Sequence, residues 1–246
     1  MRHSLFLLSP ITGRRVRDAT WGLYPGALQV EIAATAPNHP KSSPAMITLL
    51  SSSASPFVRI IRVLLQETGQ ADVEEIFVTT TPMATDTTLA AANPVGKIPA
   101  LLRDDGPAIY DSRVIARYLN ARANAAFYPD ASIWETLTLE ATAHGIMEAA
   151  VISVYEKRLR PEENWYQPWM DAQWDKIARA LDAVEARWMS HLAGPMDMGH
   201  IAMGCALGYL DFRHPDKAWR AGRDALAGWE AGFAQRPAMQ ATAPKA

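Results

Sequence analysis

The stretch SASPFVRIIRVLL, residues 53–65, sets a hydroxyl, Ser55, directly before a proline and a run of apolar residues at helical spacing. Ser-Pro is a helix start: the serine oxygen accepts from a free backbone N–H, and Pro56 fills the first helical position, where no N–H is needed. The same hydroxyl has a second use, because its proton can face an anion while its lone pair faces the backbone. Ser51, Ser52 and Ser53 offer rival hydroxyls in the same run. Asp111-Ser112 repeats the theme before a second helical stretch, as a cap and as an anion site at a helix N-terminus. No histidine lies between residues 46 and 124, so a general-base triad around these serines is not expected. The six histidines (His3, His39, His144, His191, His200 and His214) show no HxxxH spacing, and no metal is expected. The single cysteine, Cys205, excludes an intrachain disulfide and any CxxC site; within HIAMGCALGYL it reads as a buried, inert thiol.

The elements that must position these groups belong to a chain of 246 residues, 49% hydrophobic and 20% charged, with a length suited to one large or two modest domains. Its net charge of −2 leaves no footprint for nucleic acid, which is not expected as a partner. Eight tryptophans and ten methionines fit a large apolar pocket or interface. No apolar run reaches the roughly 18 residues of a membrane span. The N-terminal LFLL is shorter than a signal-peptide core of roughly 7–15 residues. The expected location is the cytoplasm, with no membrane partner.

Residues 1–45 stand apart: their charge balance is +3, which leaves −5 for the rest, and they end in the linker-like APNHPKSSPA. They are expected to be a disordered extension outside the core. An organellar transit peptide is one reading; the preferred one starts the protein at Met46. From there, MITLLS reads as a buried strand and 56–68 as an amphipathic helix stopped by Gly69. VEEIFV (73–78) is a second strand, TTTPMATDTT a loop, and KIPALL and PAIYD a hairpin whose turn, RDDG, takes a positive φ at Gly106. A helix follows over about 112–123. After AAFYPD, helices are expected over about 132–158, 170–192, 198–212 and 222–234. The fold class is therefore α/β, ordered βαβ then ββα over 46–124, followed by an all-α helical C-terminal domain over 131–246.

This order resembles the cytosolic glutathione transferases, and three motifs carry the resemblance: SASPFVR, NPVGKIPAL (93–101) and YDSRVIARYL (110–119). They are similar to the Ser-Pro-Phe start of serine-type members, to an Asn-Pro-x-Gly-x-Val/Ile-Pro-x-Leu signature, and to a Glu/Asp-Ser-x-x-Ile pattern. HGIMEAAVISVYE and CALGYLDFR are similar to small bacterial members. The resemblance implies a thioredoxin-like glutathione-binding domain, glutathione as co-substrate, a small hydrophobic electrophile and a homodimer. It implies a transferase that activates the glutathione thiol for attack on the electrophile. Two alternatives stay open: a glutathione-dependent isomerase, dehalogenase or ether-cleaving enzyme, and a non-catalytic protein that binds glutathione or another ligand. Thiol transfer is disfavoured, because Cys205 is far from the motifs.

In the residues that match, the resemblance makes Ser55 the catalytic hydroxyl, donating to the glutathione sulfur. A free thiol has a pKa near 8.5, and each unit of lowering takes about 1.4 kcal/mol. A hydroxyl at a helix N-terminus supplies part of that. Glutathione binding falls to Phe57, Lys97, Ile98, Pro99, Asp111 and Ser112. The Ile98–Pro99 bond is expected to be cis, Lys97 to meet the glycyl carboxylate, Asp111 the γ-glutamyl ammonium, and Ser112 the γ-glutamyl carboxylate. Three departures stand out. Asp111 is shorter than the usual glutamate, residues 79–88 hold no basic residue, and the usual Ser/Thr-x-x-Asp folding cap reads Asp197-Met198-Gly199-His200, which should weaken that cap. The second substrate is expected against Met147, Val151 and Tyr155, with Trp165 and Trp169, although each of these also fits ordinary core packing.

Overall fold

A computed structural model describes residues 47–245; the extension expected over 1–45 lies outside them. The sheet is built on β1 (Ile47–Ser51), all five of whose residues are buried. It is central, parallel to β2 (Val73–Phe77) and antiparallel to β3 (Ala100–Arg103), which explains a run apolar on both faces. Between β1 and β2 runs α1 (Pro56–Glu67), whose apolar stripe packs into the core. Its end is a Schellman motif. Gly69 takes φ +64, the Gly69 N–H donates to Gln66 O (3.3 Å) and the Gln70 N–H to Leu65 O (3.0 Å).

Three details of this half differ from expectation. The hairpin partner of β3 is reduced to one bridge, Leu101 with Ile109, because Pro107 has no N–H to extend the ladder. Gly106 does not adopt a positive φ. A Cβ there would lie 2.6 Å from Arg103 Nη2, so a larger residue would push aside the Arg103 side chain, which closes the turn by donating from Nε to Pro107 O (3.0 Å). The polar loop after β2 runs into an unexpected short helix, α2 (Thr87–Ala92), capped by the Asp86 carboxylate on Thr88 N (2.8 Å) and Leu89 N (3.1 Å). A longer helix, α3 (Ser112–Arg122), completes the half.

The rest is helical: α4 (Ile133–Leu159), α5 (Gln167–Arg187), α6 (Met189–Leu192), α7 (Met198–Arg213), α8 (Asp224–Phe233) and α9 (Pro237–Ala241). Nearly all of α7 is buried, as befits a helix apolar on every side. It runs parallel to α4. Thr136 Oγ1 donates to Asp197 Oδ2 (2.6 Å) at their N-terminal ends, and His214 Nε2 lies 3.0 Å from Ala150 O further along. Cys205 is inside α7, its thiol pushed up by burial to about 11, so it is inert. The two halves close on each other through Arg59, whose Nη2 donates to Met239 O (3.0 Å), and through the Glu67–Arg236 pair (2.9 Å). A Cβ on Gly208 would lie 2.4 Å from Arg59 Nη1, so a larger residue there would displace the Arg59 guanidinium. No helix among the described residues is long and apolar enough to cross a membrane.

The cap of α7 is stronger than its sequence suggests. His200 Nδ1 lies within bonding distance of both the Asp197 N–H (3.2 Å) and Asp197 Oδ1 (2.7 Å), and the His200 N–H donates to that same oxygen (3.2 Å). The histidine therefore takes the place of the acid, and its ring bonds the capping carboxylate itself. His200 Nε2 is buried with no partner, which favours a proton on Nδ1, where it bonds the carboxylate, over a stranded N–H on Nε2.

Candidate active site

Register brings the three motifs together. Leu50 of β1 pairs with Ala100 of β3, so Ser51 and Pro99 share one end of the sheet. Leu101 pairs with Ile109, and continuing that register by two residues sets Asp111 opposite Pro99. Ser55 caps the helix that leaves this same end of β1.

Ser55 is extended (φ −81, ψ 124) and accepts the Val58 N–H on Oγ at 3.3 Å, which commits a lone pair and leaves the proton free to point outward. Two rivals have spent theirs: Ser51 donates to Glu75 Oε1 (2.6 Å) and Ser53 to Lys245 O (3.3 Å). That leaves Ser52 and Ser55, of which Ser55 sits at the positive end of α1. Phe57 follows it, partly buried against the core. The Ile98–Pro99 bond is cis, as the resemblance implies, and so is Tyr110–Asp111. Pro99 is buried, Ile98 packs beside Leu50 and Leu89, and the Lys97 side chain is exposed. Asn93 shapes this loop by donating from Nδ2 to Lys97 O (2.7 Å) and accepting the Val95 N–H (3.0 Å).

Asp111 caps α3, accepting from the Arg113 N–H (3.0 Å), and pairs with Arg113 Nη2 (3.2 Å). Partial burial would raise its carboxyl, but the Arg113 hydrogen bond and charge outweigh this and hold it below the ordinary range. Ser112 is buried beneath it. An incoming ammonium would share this carboxylate with a guanidinium.

A histidine does stand beside the first motif, from the other half. His144 of α4 places its ring 5.6 Å from that of Phe57 and is 3% exposed. Burial, then the charge of Arg113, holds it down to about 4, so the ring is neutral at pH 7; its Nε2 has no hydrogen-bond partner among the described residues. One turn earlier, buried Glu140 accepts from Tyr128 Oη (2.9 Å) and lies 3.8 Å from Arg117 Nη2, its carboxyl pushed up chiefly by burial. Sequence spacing shows none of this, because α3 and α4 meet only after packing. The one available sign was the i, i+4 placement of Glu140 and His144 on an otherwise apolar helix face.

The expected second-substrate residues divide. Met147 is fully buried in the core, while Val151 and Tyr155 are partly buried one turn apart on α4. Trp165 closes the turn between α4 and α5: its indole N–H donates to Arg160 O (3.0 Å) and Lys157 lies over its ring. Trp169 is half-buried in the first turn of α5. Away from these residues, His191, Asp197 and His200 set one potential ligand atom each within 4.8 Å of one another, but these atoms already serve the cap of α7.

Residues 54–122 match the family model for the glutathione S-transferase N-terminal domain, and residues 167–232 the model for its C-terminal domain. The uncharacterized GST-like protein YibF of Escherichia coli K12 is 34% identical over 176 residues, which cover 70% of this chain and 85% of YibF. A glutathione transferase family member from Pseudomonas fluorescens Pf-5, solved with bound glutathione, is 46% identical with a TM-score of 0.78, over 81% of this chain and all of that one. A second structure from that organism holds S-(propanoic acid)-glutathione (45%, TM-score 0.74, 81% of this chain and all of that one). A glutathione S-transferase from Methylobacillus flagellatus KT with glutathione bound is 33% identical, with a TM-score of 0.70 over the same shares. With both domains matched in order, and a relative above 30% identity covered over most of its length, the chain belongs to the glutathione S-transferase family.

Proposed function

We propose that this protein is a glutathione transferase that binds glutathione at the carboxyl end of β1 and uses the Ser55 hydroxyl to hold its sulfur as thiolate. The observation that carries the reading is the convergence of Ser55, Pro99 and Asp111-Ser112 on one end of the sheet, with the Ser55 proton uncommitted. Backbone at the cis Ile98–Pro99 bond would meet the cysteinyl unit, and the N-terminus of α3 with Ser112 the γ-glutamyl carboxylate. Asp111 takes the ammonium in company with Arg113. The thiolate then attacks an electrophilic carbon; the C–S bond forms and the leaving group departs with its electron pair, or the sulfur adds to an activated double bond. Relatives that hold glutathione and an S-substituted glutathione support this reading. The same reading expects a homodimer in the cytoplasm, which sedimentation and fractionation would check.

The test is a pH titration of the thiolate absorbance of bound glutathione, in the wild type and in Ser55→Ala. The bound thiol should ionise about one pH unit or more below a free thiol, near 8.5, and the substitution should abolish the difference. An unshifted bound thiol, or no binding, would sink the transferase reading.

A further inference from the structure

The segment after α8 runs antiparallel along α1, the helix that Ser55 caps, and three tethers mark its path in order. Arg236 forks onto Glu67 at the far end of α1, with both nitrogens at 2.9 Å. Met239 O accepts from Arg59 Nη2 (3.0 Å) in the first turn of α1. Lys245 then meets Ser53 in the turn that enters α1. Its N–H donates to Ser53 O (3.4 Å), and Ser53 Oγ donates to Lys245 O (3.3 Å). The tethers differ in strength. Arg59 is 8% exposed, has no ion pair among the described residues, and its Nε is buried without a partner, so loss of Met239 O would strand a buried guanidinium. Buried Thr242 closes α9 by donating from Oγ1 to Ala238 O (2.7 Å), which fixes where the chain leaves that helix. The Ser53–Lys245 bonds are long, and Ala243 and Lys245 are exposed, so this tether opens at the least cost to the fold.

We propose that residues 236–245 form a strap that positions Ser55, with the Ser53–Lys245 pair as its clasp. This deepens the transferase reading and rests on it. Ser52–Ser55 is a turn closed by the Ser55 N–H on Ser52 O (3.2 Å), and Ser53 is its first corner. The bonds that Ser53 makes beyond this turn both go to Lys245. The other corner, Ala54, has no polar side chain with which to anchor itself. Ser55 Oγ accepts from Val58 N at 3.3 Å, a long bond that leaves the hydroxyl room to swing. The direction of its proton therefore depends on where the turn holds the Ser55 backbone. Hydrogen bonds weaken steeply as their angle bends, so a turn that rocks on its corner loses thiolate stabilisation well before it loses fold stability. Ser53 and Lys245 act through Ser55 and are positioning residues. The buried anchor at Met239 secures α9 without them, and what residues 243–245 add is the clasp.

The test uses the full chain and three measurements: the pH titration of the bound glutathione thiolate, the calorimetric affinity for S-methylglutathione, and the urea midpoint. Lys245→Pro removes the N–H of the clasp and Ser53→Ala its hydroxyl. Each should raise the pKa of the bound thiol by about half a unit, which leaves roughly threefold less thiolate at a fixed pH below it. S-methylglutathione has no ionisable sulfur; its affinity should stay within about twofold of wild type, with the urea midpoint unmoved. Lys245→Ala and Ser53→Thr keep the bonding groups and should retain the wild-type thiol. A thiol that ionises as in the wild type in both Lys245→Pro and Ser53→Ala overturns the clasp alone. So does a loss confined to Ser53→Ala, which would make Ser53 itself the activating hydroxyl, and so does a loss matched by weaker S-methylglutathione binding and a lower urea midpoint, which is general loosening. An unshifted thiol in the wild type overturns the transferase reading and this inference with it.

Discussion

Removing the Asp197 carboxylate should destabilise the protein by about 3 kcal/mol at pH 7, and the structure allows that figure to be built up. Asp197 is 2% exposed and takes hydrogen bonds from Thr136, His200 and His191. Burial alone would raise its carboxyl; the bonds from His200 and Thr136 overcome this and hold it at about 2 instead of 3.8. At about 1.4 kcal/mol per pH unit, folding favours the ionised form by about 2 kcal/mol. Asp197→Ala also strands the Thr136 hydroxyl, which is 0% exposed, at a further cost of about 1 kcal/mol. The sign follows from the depressed value: the stabilisation is complete above about pH 4 and is lost as the pH falls toward 2. Urea unfolding followed by far-ultraviolet circular dichroism, on wild type and variant, reads the gap directly. It should be about 3 kcal/mol at pH 7 and about 1 kcal/mol narrower at pH 3. A gap below about 1 kcal/mol at pH 7, or one that widens toward pH 3, would refute the reasoning.

Ser55 separates capping from chemistry. Ser55→Asp keeps an oxygen for the Val58 N–H and should leave stability within about 0.5 kcal/mol, while setting an anion against the thiolate and abolishing turnover. Ser55→Ala should lose turnover and about 1 kcal/mol together; turnover surviving in Ser55→Asp would exclude the activating role. His144 must gain a proton on acid unfolding, because its folded value of about 4 lies below the ordinary 6.5. Wild type should therefore lose up to about 3 kcal/mol between pH 6.5 and 4 that His144→Phe does not, measured by urea midpoints at each pH. Glu140→Gln keeps an acceptor for Tyr128 and should cost under about 1 kcal/mol, whereas Glu140→Ala should cost about 2 kcal/mol. Since the folded Glu140 carboxyl is raised, wild type should gain on the glutamine variant as the pH falls through that range; thermal melts across pH would show a flat difference if the carboxylate were solvated.

What could be read from the chain follows what is local. Ser55-Pro56 at one end of α1 and Gly69 at the other are signals within one turn of the backbone they govern, and both hold in the structure. The buried run of β1 and the apolar length of α7 also speak for themselves. α2 did not, because six residues make too little of a helical period; it rests on the Asp86 cap and the single buried anchor Leu89. Gly106 was misread for a related reason. A glycine in a turn suggests a positive φ, but the turn type that decides this is set by the backbone, and here Gly106 does not need one.

The candidate site was legible in its motifs and silent in its electrostatics. The resemblance names Ser55, Pro99 and Asp111, and strand register brings them to one end of the sheet. It does not tell that the Asp111 carboxylate is already paired with Arg113, two residues on, or that α4 lays a neutral histidine against Phe57. The first depends on the rotamer that Arg113 takes, the second on two helices meeting across the chain, where burial and neighbouring charge decide which groups are ionised. The consequence bears on chemistry. On the proposed reading, anchoring of the γ-glutamyl ammonium competes with the Arg113 guanidinium for the Asp111 carboxylate, which throws more of the binding onto the Ser55 hydroxyl, the backbone beside Pro99, the amides at the start of α3 and the exposed Lys97. On that reading such donors favour an anionic ligand, and a thiolate most of all beside the Ser55 hydroxyl at the start of α1.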